Sequence, residues 1–299
     1  DGLRAVAHER VFGELKRIVA SPDPLGGIAA MDATGATAAV LPELDALAGI
    51  EQSHYHHLDV REHTLAVLAE TIALERDPVA VFGEQHGATI AALLAEPFAD
   101  QLSRGTALRF GALLHDIAKP QTRAVTPEGR VTFFHHDAQG AEVARTVLAR
   151  LHASERLRAH VAALTRNHLR LGFLVRERPL PPRTEYRYLK ACSPVEVDVT
   201  LLSVADRLAT RGRNAEAAIE KHLTLARELI GPALVWHAAG GPPRVPIRGD
   251  ELAAALGIRP GPQLGQLLAE LEEATYAGEV ATAASAVARA RMLCTSERP

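Results

Sequence analysis

Apolar positions recur along most of this chain at intervals of three and four, the period of a helix with one buried face. Glu9–Ala20 reads as the first such helix, and from Val60 onward Val60, His63, Val67 and Leu74 fall on one face. A further helix is predicted from about Thr106 to Ala118, stopped by Pro120, whose ring crowds the preceding turn. The period returns over Ala138–Leu151 and Ser154–Leu171. Ser193-Pro-Val-Glu196 has the form of a capping box with proline at the first helical position. It should open a helix to about Arg211, followed by another over Asn214–Ile230 and a final helical unit, Asp250–Arg291. Prolines and glycines break residues 21–50 into short helical pieces, and Pro179-Leu-Pro-Pro182 and Ala239–Pro246 are a break and a linker. Only Val125 and Val131–Phe134, around a Pro-Glu-Gly turn, suggest strands. The expected fold is all-α, a helical bundle with one small β-hairpin and a C-terminal helical tail.

Composition narrows the setting. A chain of 299 residues, 47% hydrophobic, can bury a substantial core. Abundant alanine with only 4% aromatic residues favours close-packed helices. No stretch approaches eighteen uninterrupted apolar residues and no signal pattern opens the chain, so a cytoplasmic location without membrane contact is expected. Two cysteines, Cys192 and Cys294, are too few for a disulfide framework or a thiolate metal site. A net charge of −3 excludes a globally basic nucleic-acid binder but leaves room for a local patch. The chain opens at Asp1, close to the start of a helix, and is expected to be a fragment or trimmed form.

Histidine changes the picture most: eleven of fourteen lie between His54 and His168. Four segments put a metal-ligand residue on an apolar helical stripe or at its end. His63 sits with Val60 and Val67, and His115-Asp116 closes the apolar run after Leu108, Ala112 and Leu113. His168 shares a stripe with Val161, Leu164 and Leu171, while His160 sits off that line. Asp206 lies among Val195, Val199, Leu202 and Ala209. A carboxylate facing a helical core is costly unless it is paired or bound to a metal. Each residue has a plain structural alternative, such as an Asp206–Arg207 pair; the joint pattern favours convergence on a divalent ion. His54, His56 and His57 read as surface or supporting residues.

The order His63, His115-Asp116, Asp206 resembles the HD-domain superfamily of metal-dependent phosphohydrolases. HHLDVREHTLAVL, ALLHDIAKP, GRVTFFHHDAQGAEVA, TRNHLR and SVADRLA are similar to the HD region of bacterial tRNA nucleotidyltransferases, the CCA-adding and poly(A) polymerase-like enzymes. GDELAAALGIRPGPQLGQLLAELEEATYAGEVAT resembles their C-terminal helical segment, and ERVFGELKRIVASPDPLGGIAAM their helical neck. The resemblance implies a neck-like segment over 1–50, an HD domain over 51–238 and a helical tail over 247–299. It implies metal ligands at His63, His115, Asp116 and Asp206, with His136 matching the family's ligand histidine before an acid, His168 able to help hold a second ion, and His135 in a supporting place. It also implies tRNA as a partner. The Gly-Ser motif and paired aspartates that hold Mg²⁺ in those polymerases do not precede the neck in these 299 residues, and Asp198 belongs to a later helix. This stretch is therefore expected not to add nucleotides, with a head upstream of Asp1 left open.

Such ligands predict hydrolysis of a nucleotide or other phosphate ester by metal-activated water, including cyclic nucleotides and 2′,3′-cyclic RNA ends. The expected cofactor is one or two divalent ions, with Mn, Fe, Co, Ni or Zn favoured over Mg by the imidazoles. Asp116 would bridge two metals or orient the water. Lys119, on the same helix end, would neutralise phosphoryl charge or else complement the helix dipole. Arg170 and Arg207 are further candidates for phosphate contacts. Between Arg150 and Lys190, ten basic residues stand against three acidic ones, either an RNA-attracting stretch or an ordinary solvated surface. Tyr186 and Tyr188 could stack on a base or lie in a core.

Overall fold

The computed structural model describes residues 2–52, 57–212 and 215–296. The fold is all-α with a single two-stranded antiparallel hairpin among the described residues. After a 3₁₀ turn, Gly2–Ala5, come α1 (His8–Ala20), α2 (Pro24–Ala33), α3 (Ala36–Val40) and α4 (Pro42–Asp45). Two long helices follow, α5 (Val60–Arg76) and α6 (Val79–Ala95), then α7 (Arg104–Leu114) and the single turn α8 (Lys119–Thr122). The hairpin pairs β1 (Ala124–Val125) with β2 (Val131–Thr132). It leads into α9 (His136–Arg150), α10 (Glu155–Asn167) and α11 (Arg170–Leu174). The rest comprises α12 (Pro182–Cys192), α13 (Glu196–Ala209), α14 (Ala215–Ala239), α15 (Gly249–Leu256), α16 (Pro262–Tyr276) and α17 (Ala283–Ser296).

Local chemistry explains where these helices begin. Asp59 accepts the Glu62 amide at 2.8 Å while Glu62 accepts the Asp59 amide at 3.3 Å, a reciprocal cap that starts α5 four residues before His63. Ser103 caps α7 through the Thr106 amide at 3.1 Å, and Ser154 caps α10 through the Leu157 amide at 3.3 Å.

Several sequence expectations shift. The helix expected over Thr106–Ala118 ends at Leu114, so His115 and Asp116 lie on the turn that follows it, and Lys119 begins the next short helix. The helix expected over Ser154–Leu171 breaks around His168 into α10 and α11. The helix expected to open at Ser193 starts later: Ser193 is the C-cap of α12, and α13 starts at Glu196. Helix α14 runs on to Ala239, through Pro232. Helix α6 carries a kink at Gly83, whose φ of +70° is non-helical.

By their internal contacts the residues form two compact units, 1–176 with 197–231, and 177–196 with 232–299. The first contains α7 packed between α5 and α10, with α9 along α10. Its close approaches depend on two glycines. A Cβ on Gly111 would meet Leu164 Cδ1 at 2.5 Å, and one on Gly140 would meet Thr165 Cγ2 at 2.9 Å. The second unit has its own core of Leu252, Leu264, Leu267, Leu271, Ala274 and neighbours. Tyr186, Trp236 and Tyr276 also form a mutual ring cluster there, with centroids 5.7–5.8 Å apart. No described helix is long and apolar enough to cross a membrane.

Candidate metal centre

Five separate elements deliver ligand-type side chains to one buried place in the first unit. His63 comes from the first turn of α5; His115 and Asp116 from the turn closing α7; His136 from the start of α9; His168 from the end of α10; and Asp206 from α13. His63, His115, Asp116 and His168 are at most 2% exposed, His136 9%. Asp116 is the centre. Its Oδ2 lies 3.1 Å from His115 Nε2 and 3.8 Å from His63 Nε2, and its Oδ1 lies 3.3 Å from His136 Nε2 and 3.8 Å from His168 Nε2. Asp206 Oδ1 stands 3.0 Å from His63 Nε2. The alternative partner for Asp206, Arg207, instead donates through Nη2 to the Thr210 carbonyl at 3.3 Å.

Backbone carbonyls fix the ring orientations. The Nδ1–H groups of His115, His136 and His168 donate to the carbonyls of Ala112, Phe133 and Thr165, at 2.8, 2.6 and 2.6 Å. That leaves each Nε2 to face Asp116, the arrangement by which an imidazole is oriented toward a metal. His115 Nε2, His136 Nε2 and Asp116 Oδ1 are buried without a hydrogen-bond partner, and Asp116 Oδ2 has the Lys119 ammonium at 2.6 Å. Such unpartnered groups are expensive to desolvate, and a divalent cation among them would satisfy all three. Two sets have ligand atoms mutually within 4.8 Å: His63, His115 and Asp116; and Asp116, His136 and His168. The donor chemistry therefore fits a divalent ion, and geometrically fits two sharing Asp116.

Charge distribution follows from this crowding. Burial works to raise the Asp116 pKa, but the positive fields of His115 and Lys119 outweigh it and hold the carboxyl well below the usual range. Burial lowers His115, yet Asp116 beside it overcomes that and the net direction is upward. His168 is pushed down to about 4, by burial first and then by His115. Asp206 is held below the ordinary carboxylate value: burial opposes, and the His63 hydrogen bond prevails.

Lys119 is 6% exposed and lies 2.6 Å from Asp116 Oδ2, 2.6 Å from Gln52 Oε1 and over the Phe133 ring at 5.3 Å. Its side chain is thus at the centre and not in solvent. Arg207 is half-buried with an unpartnered Nε, and Arg170 is exposed, donating through Nε to Asn167 Oδ1 at 2.5 Å. His135 and His57 are exposed; His54 and His56 lie outside the described residues. The sequence had no signal for Gln52 or for His222, which is buried and bonded to Ser203 Oγ at 3.1 Å.

The Arg150–Lys190 surplus is largely neutralised. Arg150, Arg158, Arg166, Arg183, Arg187 and Lys190 all pair with carboxylates. Tyr186 and Tyr188 are each 3% exposed, in core positions.

An all-helical bundle with a His-Asp pair buried among further histidines is the arrangement of an HD-domain protein. Residues 85–211 match the HD domain family, so the chain contains an HD domain. More particularly, it combines the HD domain with a poly(A) polymerase-type RNA-binding region: residues 1–47 match the probable RNA and SrmB-binding site of polymerase A. The chain is similar to an A-adding tRNA nucleotidyltransferase of Deinococcus radiodurans, 34% identical across 92% of this chain and 56% of the relative. It is similar to a CC-adding tRNA nucleotidyltransferase of Thermus thermophilus, 33% identical across 92% and 54%. A multifunctional CCA protein of an Azoarcus species is 30% identical across 77% of this chain and 47% of the relative. The chain thus spans about half the length of the curated relatives it matches.

Proposed function

We propose that this chain is a metal-dependent phosphohydrolase acting on a phosphomonoester or a cyclic nucleotide, including 2′,3′-cyclic RNA ends. One observation carries the reading: a buried carboxylate, Asp116, is faced by four imidazole Nε2 atoms within 3.8 Å, two of which, on His115 and His136, have no hydrogen-bond partner. His63, His115, Asp116 and Asp206 would hold one ion; Asp116 with His136 and His168 would hold a second. The imidazole-rich set suits Mn, Fe, Co, Ni or Zn better than Mg. Bound there, a divalent ion supplies Lewis acidity toward a phosphoryl oxygen and acidifies a water for attack on phosphorus. Asp116 orients the attacking water, Lys119 neutralises charge on the phosphoryl oxygens, and Arg207 and Arg170 contact the phosphate from the rim. Single His115→Ala and Asp116→Ala variants should lose hydrolysis of nucleoside mono- and 2′,3′-cyclic phosphates, assayed across these ions, by about three orders of magnitude. Variants as active as the parent would sink the proposal.

A second reading has its own support in the polymerase-type RNA-binding match over residues 1–47 and in the tRNA nucleotidyltransferase relatives. Here the chain is the tRNA-binding body of a CCA-adding or poly(A) polymerase-type nucleotidyltransferase. It should bind tRNA with an affinity that falls steeply as salt rises. Filter binding between about 50 and 200 mM salt tests this; no retained tRNA at the lower value removes it.

A further inference from the structure

Lys119 is held on two sides, and the second side is Gln52. The ammonium has three donors. One faces Asp116 Oδ2 at 2.6 Å, and one donates to Gln52 Oε1, also at 2.6 Å. Gln52 is in turn fixed by its own amide, whose Nε2 donates to the carbonyls of Leu58 and Asp59 at 3.4 Å. The chain around it is pinned as well. The Gly49 amide donates to Asp59 Oδ2 at 2.7 Å, and the Val60 amide donates to the Ile50 carbonyl at 3.0 Å. Asp59 is the residue that caps α5, the helix carrying His63. Gln52 therefore bridges the capped start of that helix to Lys119, on the far side of the His-Asp turn.

Without that bridge the ammonium, already 2.6 Å from Asp116 Oδ2, would be fixed from that side alone and its remaining donors would be free to turn. A neutral amide acceptor shares the ammonium without adding a competing negative charge. We propose that Gln52 is a positioning residue: together with Asp116 it fixes two of the Lys119 donors, so that the third can receive a phosphoryl oxygen of the substrate. The proposal rests on the phosphohydrolase reading for its ligand class, a phosphate monoanion or dianion.

Because Gln52 is argued to act through Lys119, the two must be non-additive. The probe is inorganic phosphate, titrated by calorimetry into the Mn²⁺-loaded chain, with metal content measured on each sample. Gln52→Leu should weaken phosphate binding about tenfold, the scale of one charge-assisted hydrogen bond. Lys119→Met should weaken it at least as much. The Gln52→Leu/Lys119→Met pair should bind no more weakly than Lys119→Met alone, with metal content unchanged throughout. Gln52→Ala must repeat the pattern, which guards against a defect peculiar to leucine. An additive loss in the double variant, an unchanged affinity in Gln52→Leu, or no phosphate binding by the parent chain overturns the proposal. Absence of ester hydrolysis with the cycle intact would instead count against the phosphohydrolase reading while leaving the Gln52–Lys119 link in place.

Discussion

His222 shows how much an unremarked side chain can contribute. It is buried against Ser203, and burial pushes its pKa from 6.5 down to about 4, with Arg207 adding to the effect and Asp206 opposing it. The folded chain thus resists protonating a ring that the unfolded chain protonates readily. Above pH 6.5 the ring is neutral in both states and has no effect on stability. As pH falls from 6.5 to 4 the unfolded state binds the proton first, and the folded state loses about 3 kcal/mol, levelling below pH 4. A His222→Gln variant keeps a donor and acceptor for Ser203 and does not titrate. Its denaturant-measured stability, compared with the parent at fixed metal, should show a flatter decline over that interval; identical slopes would contradict the assignment. Asp198 makes a second case. It is fully buried and bound by Arg104 Nε at 3.0 Å and Nη2 at 2.5 Å, linking α7 to α13. Asp198→Ala takes the neutralising carboxylate from a buried guanidinium, and urea unfolding should report a loss of about 3–5 kcal/mol. In the sequence Asp198 was only an acid within a helix, since a pair 94 residues apart leaves no trace in periodicity.

At the scale of elements, the ligand-bearing ends matter more than the helix bodies. Periodicity placed His63 and Asp206 on buried faces because both lie within regular helices. It could not show that the α7 helix stops at Leu114, because the turn through His115 and Asp116 continues the apolar run with Ile117 and Ala118, each at most 2% exposed. That turn separates Lys119 from the helix on which it was expected and directs it to Asp116. The Ser193 stretch shifted for a related reason: that serine closes α12 as its C-cap, and α13 begins three residues on, at Glu196. Close packing of α9 on α10 is set by Gly140, and Thr165, which its Cβ would crowd, supplies the carbonyl that orients His168. Gly140→Val should therefore push the helices apart, costing about 1–3 kcal/mol in overpacking. It should also reduce bound Mn²⁺ at saturation toward one ion per chain, through loss of the His136–His168 pair. Full metal content in a destabilised variant would show that the helices yield without moving the rings.

For the whole molecule, the residues proposed to bind metal span 143 positions between His63 and Asp206, yet all fall in one compact unit, 1–176 with 197–231. The HD pattern was legible because the ligands keep their order along the chain. The division into units was not, since residues 177–196 leave the first unit and residues 197–231 return to it, which no local composition marks. The basic run was ambiguous for a related reason: half of its ten charges meet carboxylates distant in sequence, such as Glu43 for Arg150 and Glu270 for Arg183. A metal that binds the folded chain stabilises whatever must be ordered to hold it, by an amount set by its concentration relative to Kd. Hydrogen exchange measured with and without saturating Mn²⁺ should accordingly show slower exchange in α5, α7, α9, α10 and α13. Peptides from α15, α16 and α17, whose core is built from Leu252, Leu271 and their neighbours, should exchange at the same rate in both states. Protection spread evenly over the chain would mean that the ion acts through global stability alone, and protection confined to one element would mean that the five do not share it.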